Sequence, residues 1–301
     1  SRIPMYIAIT QNVVNIIASL GLVYLCGMKV EGVALGTLIA QYAGFLMGIA
    51  LWMHNYGRLK RFWEIKNYKL KIKGGEEAGI WEKGVMLRFF QVNRDIFLRT
   101  LCLVAVTLFF TSAGASQGEI ILAVNTLLMQ LFTLFSYVMD GFAYAGEALS
   151  GRYIGARNRE AFTDTVRHLF GWGAVMAVLF TLVYALGGNA FLGLLTDDKE
   201  VIAVADTYFY WALAVPAVGI AAFIWDGIFI GATATRGMLL SMAAAAVSFF
   251  ILYYGLHPVL ANHALWLAFL TYLLMRGVVQ TGLSREVIRR AFPSKKEPAW
   301  R

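Results

Sequence analysis

Long apolar runs, separated by short polar connections, occupy almost the whole chain of 301 residues. Each run approaches or exceeds the roughly 20 residues that an α-helix needs to cross the hydrocarbon core of a bilayer. The runs do not alternate in the way that the ~10-residue strands of a membrane barrel do. The pattern therefore predicts an all-α integral membrane protein, a polytopic helical bundle. Its predicted spans are residues 5–26, 31–54, 86–112, 119–150, 162–187, 200–230, 238–256 and 262–283.

The connections alternate in charge. Lys and Arg concentrate in residues 55–88, 151–167 and 284–301, and Arg236 marks a further connection on the same side. The intervening connections carry almost none. Because cytoplasmic loops are enriched in Lys and Arg, we expect both ends of the chain and the connection at 55–88 to be cytoplasmic.

Residues 57–84 form the one long polar segment, and they divide the chain. The segment is basic with interleaved apolar residues, a composition typical of a surface that meets anionic lipid rather than nucleic acid. We therefore predict two transmembrane helices in 1–56, a basic cytoplasmic linker at 57–84, six helices in 85–284 and a basic cytoplasmic tail at 285–301.

Composition narrows the function classes. Hydrophobic residues make up 59% of the chain and charged residues 15%, with a net charge of +8, against about 25% charged residues in soluble domains.

The two cysteines lie in apolar runs and indicate no disulfide framework. The four histidines lie at span ends without metal-ligand spacing, so no metal site is predicted. A membrane-embedded enzyme would need a His, Ser or Cys constellation within the spans, and the sequence shows none.

Charged residues inside the spans are the first candidate site, since a charge within an apolar span costs several kcal/mol, roughly, unless it is paired or faces water. Asp140, Tyr144 and Glu147 share one helical face at i, i+4 and i+7. Asp226 lies at a depth in its span similar to that of Asp140. Asp95, Arg94 and Arg99 reach nearly the same depth, counted from the opposite end of their own span. The predicted network comprises Arg94, Asp95, Arg99, Asp140, Glu147 and Asp226.

Two interpretations of this network remain open. It is either a structural ion-pair cluster that locks the cytoplasmic ends of the helices or a proton- or cation-binding site. A state-dependent gate, which would use the same contacts, falls between the two. Asp95 and Arg99, one turn apart, are placed to form an intrahelical pair.

Uncharged polar residues inside the spans are the second candidate set. They either form hydrogen bonds between packed helices or line a cavity. The predicted lining of a substrate cavity comprises Gln41, Thr107, Asn125, Gln130 and Tyr144.

Several stretches resemble one transporter family. They are NRDIFLRTLCL at 93–103, DGFAYAGE at 140–147, DGIFIGAT at 226–233 and the opening RIPM at 2–5. With these stretches the chain resembles the multidrug and toxic compound extrusion (MATE) family, in particular its DNA-damage-inducible F-like branch. The resemblance implies a two-lobe fold of twelve helices, of which this chain looks like helices five to twelve, without the first four.

The resemblance also implies a function: an antiporter of the bacterial inner membrane, which exports amphipathic, often cationic compounds in exchange for H⁺ or Na⁺ and has no bound cofactor. It implies a monomer once complete. It places the principal protonated Asp on the first helix of the N-terminal lobe, outside the matched part. Two alternatives remain, a lipid-linked oligosaccharide flippase of related architecture and an inactive fragment that needs its missing helices.

Overall fold

The computed structural model describes residues 2–25, 27–56 and 83–292, and in these ranges the chain forms helices and short connections without any strand. This confirms the predicted all-α fold. The helices are α1 Arg2–Tyr24, α2 Val30–Tyr56, α3 Lys83–Ala115, α4 Glu119–Gly155, α5 Arg159–Leu195, α6 Lys199–Gly231, α7 Thr235–Leu260 and α8 Asn262–Ala291.

All eight of these helices are long and apolar enough to cross a membrane, as the pattern of apolar runs predicted. Several extend beyond the predicted spans. Helix α4 continues to Gly155, α5 to Leu195 and α8 to Ala291. The first seven residues of the predicted tail are thus helical. The rest of the tail from residue 293, and residues 57–82 of the predicted linker, lie outside the described residues.

By its internal contacts the chain divides into two units, residues 1–82 and 83–301. In the first unit α1 and α2 pack along each other. Gly36 of α2 lies against Ser19 of α1, and Gly44 lies against Gln11. The Ser19 hydroxyl donates to the Asn15 side chain at 3.0 Å. Small residues at every fourth position of α2 therefore let the two backbones approach closely.

The second unit is built around α6 and α8. Helix α6 packs against α4, α5 and α8, and α8 also packs along α7, which in turn contacts α3. The core is lined with aromatic residues from these helices, among them Phe135, Phe249 and Trp266, all fully buried. Edge-to-face ring contacts link many of them, as between Phe135 and Phe180 at 5.5 Å.

Two glycines set how closely α4 and α6 approach. A Cβ atom at Gly227 would clash with the backbone of Ala143, and one at Gly231 would clash with the carbonyl oxygen of Glu147. The repeat of Gly at i and i+4 on α6 thus forms a groove into which α4 fits. Because Asp226 directly precedes Gly227, this contact fixes its depth in the bundle.

Side-chain caps fix where two of the helices begin. The side chain of Asn158 accepts a hydrogen bond from the Ala161 N–H at 3.0 Å and so starts α5. Asp198 accepts from the N–H groups of Glu200 and Val201 at the start of α6. Each cap satisfies backbone donors that the helix itself leaves unpaired.

Candidate functional site: a buried ion cluster on α3, α6 and α8

The acidic side chain at the centre of the cluster is Asp226 on α6, which is 8% exposed. Arg99 of α3 and Arg276 of α8 both donate through Nη2 to its Oδ2 atom, at 2.5 and 2.6 Å. Gln280 of α8 donates through Nε2 to Oδ1 at 2.5 Å. One carboxylate therefore joins three helices of the second unit.

Local packing explains why α8 reaches Asp226 with two side chains. Arg276 and Gln280 stand at i and i+4, on one face of α8. Between them Gly277 lies against Ala221 and Ala222 of α6. One residue before Asp226, the indole N–H of Trp225 donates to the Thr281 hydroxyl at 2.8 Å. These contacts hold α8 close to α6 over the turn that carries the cluster.

The charges in this cluster are not evenly matched. Asp226 supplies one negative charge to the two guanidinium groups of Arg99 and Arg276. The Nε atoms of both arginines and the Oε1 atom of Gln280 are buried without a hydrogen-bond partner. Buried donors of this kind cost free energy unless an acceptor reaches them. The two arginines therefore keep buried donors that have no acceptor among the described residues.

Asp140 of α4 is a further acidic side chain beside the cluster. It is half-buried, and it interacts electrostatically with both Asp226 and Arg276. Among the described residues it forms no ion pair within 4 Å. The close approach of α4 to Gly227 of α6, at Ala143 less than one turn further along, brings the two acids to the same level.

Asp95 belongs to a second, smaller group on α3 and α7. It is buried and pairs with its neighbour Arg94, whose Nη2 lies 3.0 Å from Oδ1. The Thr235 hydroxyl at the start of α7 donates to Oδ2 at 3.4 Å. The intrahelical pair expected between Asp95 and Arg99 is not formed, because Arg99 donates to Asp226 of α6 instead, while Asp95 pairs with Arg94.

Glu147, the remaining member of the predicted network, is half-buried on α4. Its backbone oxygen lies against Gly231 of α6. Its side chain has no ion pair within the described part of the chain, so its role in the network stays a prediction.

The predicted cavity residues fall in two environments. Asn125 is 2% exposed and exchanges two side-chain hydrogen bonds with Asn262 at 2.8 and 3.0 Å, while the Trp266 indole donates to its Oδ1 at 2.8 Å. The other members of the set are exposed, and their assignment to a cavity stays a prediction, as does that of Asn125. They are Gln41 in the first unit and Thr107, Gln130 and Tyr144 in the second.

The sequence prediction missed Arg276 and Gln280. A signal for Arg276 was present, since it is a charged residue inside the predicted span 262–283, where charge is costly unless it has a partner. Gln280 gives no comparable signal, because amides occur in many helix contacts. Only the packing of α8 on α6 shows that both side chains meet Asp226.

No group of three or more His, Cys, Asp or Glu side chains suited to a metal ion occurs among the described residues. Two cations and one fully engaged acid thus form the cluster, with Asp140 half-buried beside it and without an ion pair in the described part of the chain.

Known proteins resemble this chain in sequence and in fold. The MatE family matches residues 96–259. DNA damage-inducible protein F of Escherichia coli K12 is 38% identical over 278 residues, which cover 92% of this chain and 58% of that protein. Protein DETOXIFICATION 42 of Arabidopsis thaliana is 21% identical over 279 residues, 92% of this chain and 50% of that protein. The chain thus spans only part of the curated relatives it matches, a little over half of the E. coli protein.

Two crystal structures share the fold. A MATE protein in the bent conformation superposes with a TM-score of 0.75 at 15% identity, covering 95% of this chain and 62% of that one. A Vibrio cholerae MATE transporter in the bent form gives 0.74 at 14% identity, covering 96% and 63%.

Proposed function

The chain belongs to the MatE family, and on that premise we propose that it forms the greater part of a secondary active efflux antiporter. The proposed substrates are amphipathic, often cationic compounds, exchanged for H⁺ or Na⁺ by alternating access. The observation that carries the proposal is the 38% identity to the E. coli relative over 92% of this chain. Members of this family are transporters rather than enzymes.

The ion cluster supports the coupling part of the proposal. An antiporter needs an acidic group whose occupancy by an ion changes which helices are held together. Asp226 is engaged by three donors, whereas Asp140 has no such partner among the described residues and interacts with Arg276. We therefore assign Asp226 as the anchor of the cluster and Asp140 as the acid that competes for Arg276.

In this mechanism the charge state of Asp140 decides how Arg276 is held. With Asp140 ionised and free of cation, its carboxylate attracts Arg276 and loosens the contact between α8 and Asp226. With Asp140 protonated or bound to Na⁺, Arg276 stays on Asp226 and α8 stays against α6. The buried Nε atom of Arg276, which lacks a partner, is the donor that an ionised Asp140 would satisfy.

Transport in everted membrane vesicles tests the proposal. Efflux of a fluorescent organic cation is measured for the chain itself and for a chimera. In the chimera the chain is joined to the part of the E. coli relative that it does not match. Each protein is tested under a pH gradient and then under a Na⁺ gradient. Efflux that follows one gradient supports the antiporter and identifies its coupling ion.

The same experiment separates the alternatives. Efflux by the chimera alone would mean that the chain needs further helices for activity. Absence of efflux from both proteins under either gradient, with insertion verified, would contradict the proposal and leave a lipid or metabolite substrate to be sought.

A further inference from the structure

A groove of about 430 Å³ lies between α4 and α5. Phe142 and Tyr153 of α4 line one wall, and Asp164, His168 and Trp172 of α5 line the other. The volume falls within the roughly 300–1,000 Å³ range of small-molecule sites. From this chemistry we infer that the groove is a binding site for an amphipathic organic cation, an inference that takes its ligand class from the proposed function.

The first argument is charge. Asp164 is the one acidic side chain in the lining, and no Lys or Arg is among the described residues that line the groove. Within the described part of the chain, the Asp164 carboxylate has no ion pair. A cation in the groove would therefore meet a free negative charge.

The second argument is the state of His168. Its Nδ1 atom lies 2.7 Å from the backbone oxygen of Asp164. A carbonyl oxygen only accepts hydrogen bonds, so Nδ1 carries the proton. In the neutral ring Nε2 then keeps its lone pair, which favours a cationic or hydrogen-bond-donating ligand over an anion.

The third argument is the arrangement of aromatic and polar groups. Rings of Phe142, Tyr153 and Trp172 supply π faces that attract organic cations within about 6 Å of the ring centroid. Trp172 is 61% exposed, so its face is open to a ligand. From Ala161 to Trp172 the groove extends along α5 for about 16 Å at 1.5 Å per residue, which is long enough for an apolar body as well as a charged group.

Neighbouring charges oppose the cation, among them Arg167, which lies three residues from Asp164 on α5, and Arg152 of α4. The guanidinium group of Arg152 lies 5.9 Å from the centroid of the Tyr153 ring. It occupies the π face of Tyr153 at the end of α4, so the cationic group of the ligand belongs near Asp164 and Trp172 rather than beside Tyr153. The apolar part of the ligand then lies along Phe142 and Leu149.

Photolabelling tests this site without a gradient. The whole chain is reconstituted in phosphatidylglycerol nanodiscs and exposed to a benzophenone-bearing tetraalkylammonium ion, and the labelled peptides are identified by mass spectrometry. The expected label falls on the peptides that contain Tyr153 and Trp172, and excess tetraphenylphosphonium displaces it. An uncharged analogue of the probe, with a quaternary carbon in place of nitrogen, should label these peptides less.

Matched variants define the contribution of each group. Asp164→Asn should lower labelling about three- to fivefold, as expected for an accessible ion pair. Trp172→Leu should lower it by a similar factor. Two control variants should leave labelling unchanged. Asp206→Asn changes an exposed acid of α6, and Trp52→Leu changes a tryptophan that is also 61% exposed.

Three results would overturn the inference. They are labelling confined to other helices, labelling that Asp164→Asn leaves unchanged, and loss of labelling in phosphatidylethanolamine but not phosphatidylglycerol nanodiscs. The last would assign the groove to a lipid amine. Labelling in the groove, with no efflux from either the chain or the chimera, would contradict the proposed transport function but leave the groove site standing. Efflux without labelling would do the opposite.

Discussion

Arg99 and Arg276 donate to the same oxygen atom, Oδ2 of Asp226, although they lie on helices at opposite ends of the second unit's sequence. Their Nη2 atoms lie 2.5 and 2.6 Å from it. The chain between them includes four further helices. A single carboxylate thus ties α3 and α8 to α6, and its loss would leave two buried cations facing each other.

The first prediction concerns this anchor. Asp226→Asn should lower the free energy of unfolding by about 3–5 kcal/mol, because removing one partner of a buried ion pair leaves the other charge uncompensated. Thermal unfolding of the purified protein in detergent measures the change. Asp206→Asn is the control, since Asp206 is exposed on the same helix. Equal unfolding midpoints for the two variants would mean that the cluster contributes nothing to stability.

The second prediction concerns Asp140. Asp140→Asn in a transporting form of the protein should abolish gradient-driven efflux and leave expression and unfolding midpoint close to wild type, because the side chain has no ion pair to lose among the described residues. Efflux in everted vesicles and membrane content by immunoblot are compared. Glu119→Gln, at an exposed acid of the same helix, should transport normally. A fall in expression that matches the fall in efflux would support a purely structural role.

The third prediction concerns the contact of α4 with α6. Gly227→Ala should destabilise the protein by about 1–3 kcal/mol, since the added methyl group overpacks a backbone contact. Gly171→Ala is the matched control, because nothing lies within 4 Å of a Cβ atom there. That control should be neutral or gain up to about 1 kcal/mol of helix propensity. Similar unfolding curves for the two variants would argue against close approach at Gly227.

The fourth prediction concerns orientation. In a background without Cys26 and Cys102, Ala156→Cys in the α4–α5 connection should react with a membrane-impermeant maleimide from the cytoplasmic side. Ser116→Cys in the α3–α4 connection should react from the opposite side. The reason is the concentration of Lys and Arg in alternate connections. Labelling of intact cells and of everted vesicles distinguishes the two faces, and reversed labelling would invert the proposed topology.

Much of the fold could be predicted from the residues. Eight apolar runs of spanning length gave eight helices because a backbone in hydrocarbon must satisfy its hydrogen bonds within its own segment. The acidic residues of the cluster were also visible, since Asp140 and Asp226 stand out inside apolar runs. The family followed from the stretches around them, and the match over residues 96–259 bears it out.

Only the tertiary structure decided which charges meet. An Asp95–Arg99 pair one turn apart is worth about 0.2–0.5 kcal/mol on a helix, and the sequence offers no reason to reject it. Asp95 is as buried as Asp226, and each carboxylate needs a counter-charge. In the folded bundle Arg94 supplies it to Asp95, and Arg99 from α3 with Arg276 from α8 supplies it to Asp226. Where a helix is apolar on every face, the spacing of its apolar residues does not show which helix it packs against. The sequence by itself therefore determined the helices and the costly charges, and packing decided the partners.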